Sequence, residues 1–168
     1  AASRDEVFAS SDVIFQVRAL GANLEAGRAD LPLLRKGQAV VAMADPLGEA
    51  RAAKDVAATG ASLFAMELMP RITRAQSMDV LSSQANIAGY KAVMMAANAY
   101  QRFFPMLMTA AGTVKAARVV ILGVGVAGLQ AIATARRLGA VIEASDVRPA
   151  VKEQVESLGA KFIDVAYE

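Results

Sequence analysis

The chain has 168 residues, 55% of them hydrophobic and 20% charged, with a formal net charge of +2. That length suits one ordinary domain or two small ones, and the composition is that of a folded α/β protein rather than a disordered one. Cysteine and histidine are both absent. Their absence excludes disulfides, thiolate metal sites, a Ser-His-Asp triad and most zinc sites within the chain, so no metal site is expected. The small positive charge is spread out with no basic run, and no nucleic-acid partner is expected.

Residues 13–17 and 39–43 are short, branched and apolar, and read as strands. Asp45 and Pro46 follow the second strand and read as a helix cap and first helical residue. A helix is expected through 50–57, ending near Gly60, with a third strand at 62–66. Strand and helix therefore alternate, as a parallel sheet requires. A polar loop spans 70–77. A long helix is predicted from about Met78 to Phe104, stopped by Pro105, and residues 109–113 read as a linker.

The most specific signal comes next. Arg118-Val-Val-Ile-Leu122 reads as a buried strand and leads into Gly123-Val-Gly-Val-Ala-Gly128. Residues 129–138 form a good helix closed by Gly139. A second strand at 141–145 delivers Asp146, 18 positions after Gly128. A bare G-x-G-x-x-G is weak. Set between a strand and a helix, with an acid about twenty residues on, it is a dinucleotide-binding fingerprint. Gly123 allows the tight turn, Gly125 lets a diphosphate reach the backbone, and Gly128 brings the helix close to the sheet. The free amides and dipole at the helix start favour phosphate.

Asp146 can accept hydrogen bonds from ribose hydroxyls and would repel a 2′-phosphate, which favours NAD over NADP. Arg148, two residues on, leaves that choice open, because an arginine there can hold a 2′-phosphate. The bland alternative is a glycine-rich turn that binds nothing. Residues 119–135 carry no formal charge and approach the length of a membrane span, but the glycines, Gln130 and flanking arginines fit strand, turn and helix better. A helix at 149–158 and a strand at 161–165 complete one mononucleotide-binding half of a doubly wound sheet. The other half is missing, and the chain starts without methionine directly before its first strand. A fragment of a longer protein is expected.

The fold expected is thus α/β, with two Rossmann-like parallel-sheet domains, each incomplete, joined by a long helix. The divisions are 1–78, 79–112 and 113–168.

A second polar constellation lies at 67–79, with Arg71, Arg74, Gln76 and Asp79. Asp79, Ser83, Asn86 and Tyr90 recur at helical spacing on one face, with Ser82 three after Asp79. A solvated face and a ligand cleft both fit this pattern.

The stretch Met66-Glu-Leu-Met-Pro-Arg-Ile-Thr-Arg-Ala-Gln-Ser-Met-Asp-Val-Leu-Ser-Ser-Gln-Ala-Asn-Ile-Ala-Gly-Tyr90 resembles the signature of the NAD(H)-binding component of proton-translocating NAD(P) transhydrogenases. The resemblance continues through 104–113, the glycine fingerprint and 145–163, and covers the chain from about Val13 onward. It implies hydride transfer between NAD(H) on this component and NADP(H) on a partner domain, coupled to proton translocation.

It further implies that Arg71, Gln76 and Asp79 form a catalytic loop beside the nicotinamide. Gln76 would reach toward the second nucleotide. Ile72, Thr73, Arg74 and Ser82 would join that site, Thr73 standing where serine is common. Val126, Asp146, Val147 and Arg148, with Gly123, Gly125 and Gly128, would hold the diphosphate and adenosine end. The implied partners are an NADP(H)-binding component, a membrane proton-channel component and a second copy of the subunit. The implied location is peripheral to a membrane, on the cytoplasmic face of a bacterial inner membrane or the mitochondrial matrix side.

Alanine dehydrogenase shares the architecture but relies on a lysine and a histidine, and this chain has no histidine. An amino-acid dehydrogenase and a non-catalytic NAD-sensing module remain the alternatives. Amino-acid oxidation moves a proton as well as a hydride and needs a base near the substrate. Transfer between two nicotinamides needs only two rings held in near-attack geometry and shielded from water.

Overall fold

The structure is a computed structural model, and it describes residues 1–165. The chain is mixed α/β with parallel sheets and divides into two compact units, Ala1–Val80 and Leu81–Glu168.

The first unit opens with helix α1 (Arg4–Ser10), capped by the Ser3 hydroxyl, which accepts the Glu6 amide at 3.2 Å. Strands β1 (Val13–Arg18), β2 (Ala39–Met43) and β3 (Ser62–Ala65) form a parallel sheet in that order. A 3-10 helix at Gly27–Leu33 follows β1, and helix α2 (Ala50–Ala58) links β2 to β3. One sheet face packs Val40 and Ala42 into a core with Ala19 and Ala44, while Leu20, Ala52 and Val56 form a second cluster. On the other face Phe15, Val41 and Phe64 stand in register across the three strands, and both phenylalanines are exposed. The fully buried Gln38 amide donates to the Phe8 and Ser11 carbonyls at 2.8 and 2.7 Å, tying α1 to the start of β2.

Several boundaries differ from the sequence reading. Asp45 and Pro46 do not start a helix. Asp45 lies at φ 44°, its carboxylate accepts the Gly48 amide at 3.3 Å, and the resulting turn delays α2 to Ala50. The strand expected at 62–66 ends at Ala65, because 3-10 helix Met66–Leu68 begins there. The polar loop at 70–77 carries a third 3-10 helix, Thr73–Met78, in which Ala75 is buried.

The second unit contains nearly all of helix α3 (Val80–Tyr100). This helix is shorter than the predicted 78–104: Gln101 turns into the left-handed region at φ 55°, and the chain reverses to bury Phe104. The expected linker is a hairpin instead, with β4 (Leu107–Thr109) antiparallel to β5 (Gly112–Val114). Gly112 supplies φ 129° at the turn.

Strands β6 (Arg118–Leu122), β7 (Val141–Ser145) and β8 (Lys161–Phe162) form a parallel sheet. Helix α4 (Val126–Arg137) joins β6 to β7. A 3-10 turn, Pro149–Val151, and helix α5 (Lys152–Ser157) join β7 to β8. So α4 starts three residues earlier than 129, the 149–158 helix opens as 3-10, and the last strand stops short of 165. The core gathers Ile121, Val124, Ile132, Ala135, Ile142, Ala144 and Val155, with Val93 of α3. Gly89 of α3 is close-packed, since a Cβ there would stand 2.1 Å from the Ala127 carbonyl oxygen. The uncharged 119–135 window divides into β6, a turn and α4, and among the described residues no helix is long and apolar enough to cross a membrane.

Candidate functional site

In the second unit, β6 and β7 run parallel with Leu122 opposite Ser145, so their carboxyl ends lie side by side. In open parallel sheets this edge is where ligands bind. Gly123 leaves β6 at φ 89°, a backbone state that glycine adopts without strain, and its amide donates to the Ser145 carbonyl at 2.8 Å. A Cβ on Gly128 would sit 1.9 Å from the Gly123 carbonyl oxygen, so only glycine lets α4 start this close to the strand. Gly125 is the opposite case: a Cβ there meets nothing within 4 Å. It is the N-cap of α4 and, being glycine, brings no side chain to cap the helix start. The start of α4 thus has no cap from its own N-cap residue and open space at Gly125, the two features a diphosphate needs there.

Asp146 follows β7 and turns toward that loop. Its Oδ2 accepts the Val124 amide at 2.7 Å, and its Oδ1 accepts the Arg148 amide at 2.8 Å. The Arg148 guanidinium completes the set, donating from Nε to Oδ1 at 2.9 Å and from Nη2 to Oδ2 at 3.1 Å. Nη2 also reaches the Val124 carbonyl at 3.3 Å. The Asp146 side chain is only 6% exposed, whereas that of Arg148 is 59% exposed. The Arg148 guanidinium, then the Val124 and Arg148 amides, hold the Asp146 carboxyl well below the usual carboxylate range, against the opposing effect of burial. Asp146 in turn raises the Arg148 pKa.

The fingerprint residues therefore stand together. Val126 is partly exposed on the first turn of α4, and Val147 is exposed beyond Asp146. The sequence reading missed Val124, which plugs the core at 1% exposure while its amide and carbonyl bind Asp146 and Arg148. Its position between two glycines was the available signal.

In the first unit the polar loop is compact. The Ala75 amide donates to the Ile72 carbonyl at 2.9 Å, and the Asp79 amide to that of Gln76 at 3.2 Å. Buried Ala75 pins the turn, leaving Ile72, Thr73, Arg74 and Gln76 exposed on its surface. Arg71 Nε stands 3.5 Å from Asp79 Oδ2, with the Asp79 side chain 12% exposed. In the second unit Ser82 is half-buried, while Ser83, Asn86 and Tyr90 of the polar stripe are exposed along α3.

A glycine-cradled helix start with an acid just after the neighbouring strand is the arrangement of nucleotide-binding Rossmann folds. The chain belongs to the alanine dehydrogenase/PNT family: residues 1–88 match its N-terminal domain and residues 92–168 its C-terminal domain. It is 50% identical over 165 residues to an NAD(P) transhydrogenase alpha subunit of Rhodospirillum rubrum, covering 98% of this chain and 43% of that protein. It is 48% identical to the corresponding subunit of Rickettsia prowazekii, covering 94% of this chain and 41% of that protein. A solved transhydrogenase from Sinorhizobium meliloti superposes with a TM-score of 0.89 at 58% identity, over 97% of this chain and 45% of that one. The chain therefore spans less than half the length of these relatives. An L-alanine dehydrogenase superposes with a TM-score of 0.76 at 22% identity, a likeness of fold.

Proposed function

We propose that this chain belongs to the NAD(H)-binding component of a proton-translocating transhydrogenase, with residues 1–78 and 113–168 as its two Rossmann-like domains and 79–112 between them. One observation carries the nucleotide reading. The Gly123 to Gly128 loop offers uncapped amides and open space at the sheet edge, and Asp146 is anchored beside it on the Val124 amide. These features fit a dinucleotide, with the α4 amides at the diphosphate and Asp146 at the adenosine ribose. An ionised carboxylate at the ribose repels a 2′-phosphate, which favours NAD(H).

Bound NAD(H) would supply the carbon that gives or accepts the hydride. The chain's own residues bind, orient and shield. The 3-10 turn that carries Arg74 and Gln76 is braced by buried Ala75 and by the ion pair between Arg71 and Asp79, and would orient the nicotinamide ring. Gln76 reaches toward the second nucleotide, with Ile72 and Thr73 on the same turn, and Ser82 is a further nucleotide-binding residue. Hydride passes to NADP(H) on a partner component, a membrane component carries the protons, and the subunit pairs with a second copy at the membrane surface. The names of the relatives support this over amino-acid oxidation.

The test uses the full-length protein with an NADP(H)-binding component. Hydride exchange between the two nucleotides is the expected result. Alanine-dependent NADH formation by the protein alone would overturn the reading, and NADH binding without exchange would leave only a sensing module.

A further inference from the structure

We propose that Arg148 is a competitor for the adenosine ribose: its guanidinium and the 2′,3′-diol contend for the same two lone pairs of Asp146, so nucleotide binding is a displacement. This inference rests on the dinucleotide reading above and reverses the cofactor-holding role that the resemblance implies for the Arg148 side chain.

The limit is the capacity of the carboxylate. An ionised carboxylate has about four lone-pair sites. All four of Asp146's are filled: Oδ1 by the Arg148 amide and Nε, Oδ2 by the Val124 amide and Arg148 Nη2. The two amide bonds are fixed by the backbone and survive any change of side chain. The other two belong to a side chain that is 59% exposed and, among the described residues, is held elsewhere by one 3.3 Å bond to the Val124 carbonyl. A ribose diol that donates to Asp146 must take those two sites. Arg148 must then swing out, which its exposure and flexible stem permit.

Adenosine isolates the effect, because it carries the diol without the diphosphate that a nearby cation would attract. Titration calorimetry on the full-length protein should find that Arg148→Ala binds adenosine about three- to fivefold more tightly than wild type, the scale of an exposed ion pair. Binding of 2′,3′-dideoxyadenosine, which has no hydroxyls to place, should change less than about twofold. Arg148→Lys keeps the charge but loses the fork, so its gain should be intermediate; it carries the test if the alanine variant misfolds. Unchanged or weaker adenosine binding, or an equal shift for both nucleosides, overturns the competition while leaving the dinucleotide site intact. Failure of the wild-type protein to bind NADH would instead overturn the dinucleotide reading and the competition with it.

Discussion

Gly125→Ala separates folding from binding. Gly125 sits at φ −83° and ψ −163°, a backbone state open to any residue, and an added Cβ has no neighbour within 4 Å. Alanine is the poorer N-cap by a few tenths of a kcal/mol or more, but it also stiffens the unfolded chain by about 0.4–1 kcal/mol. The two nearly cancel, and the unfolding midpoint should move by less than roughly 4 °C. The methyl group, however, projects into the open space proposed for the diphosphate. Loss of one charge-assisted hydrogen bond costs about 1.5–3 kcal/mol, or roughly a ten- to 150-fold rise in the NADH dissociation constant. Calorimetry and a melting curve on the full-length variant read both quantities. Native stability with NADH affinity within about twofold of wild type would refute the placement of phosphate at this loop.

Gly128→Ala should do the reverse, because its Cβ would stand 1.9 Å from the Gly123 carbonyl oxygen. Overpacking of about 1–3 kcal/mol should lower the unfolding midpoint by roughly 4–24 °C, read by circular dichroism. Asp146→Ala should weaken NADH binding about ten- to a hundredfold, and an unchanged dissociation constant in calorimetry would reject its ribose role. Gln76→Asn should slow hydride exchange by up to about a hundredfold through ring misplacement while altering NADH affinity little; equal losses would argue against that role. The lowered pKa of Asp146 sets the sign of a pH effect. Its pairing is fully present above the unfolded value of about 3.9 and is lost as pH falls through the lower folded value. NADH titrations between pH 5 and 8 should therefore show no step from Asp146, and one appearing near pH 6 in wild type but not in Asp146→Ala would contradict the ion pair.

The glycine fingerprint was legible because each of its glycines answers a distinct demand: a positive φ at Gly123, open space at Gly125, and close approach at Gly128. Parallel strands were equally legible in their branched apolar runs. Other features depend on partners far along the chain. Gly89 looks like any helical glycine until α4 brings the Ala127 carbonyl against it. The alanines and threonines of 109–113 lack the Asn-Gly or Asp-Gly signal of a tight hairpin, so β4 and β5 read as a linker. Asp45 imitates a helix cap, but its own left-handed backbone makes a turn instead. Helix α1 was missed although Ser3 and Glu6 spell a capping box. At the site, sequence paired Asp146 with a ribose. It gave no sign that Arg148 holds the same oxygens, because that contact is set by side-chain direction after β7.

The central claim is that a dinucleotide lies across the carboxyl ends of β6 and β7. Crystals of the full-length protein grown with NADH test it most directly. The account predicts diphosphate density against the amides at the start of α4 and a ribose diol on Asp146. Ordered NADH anywhere else, with this edge empty, would contradict it.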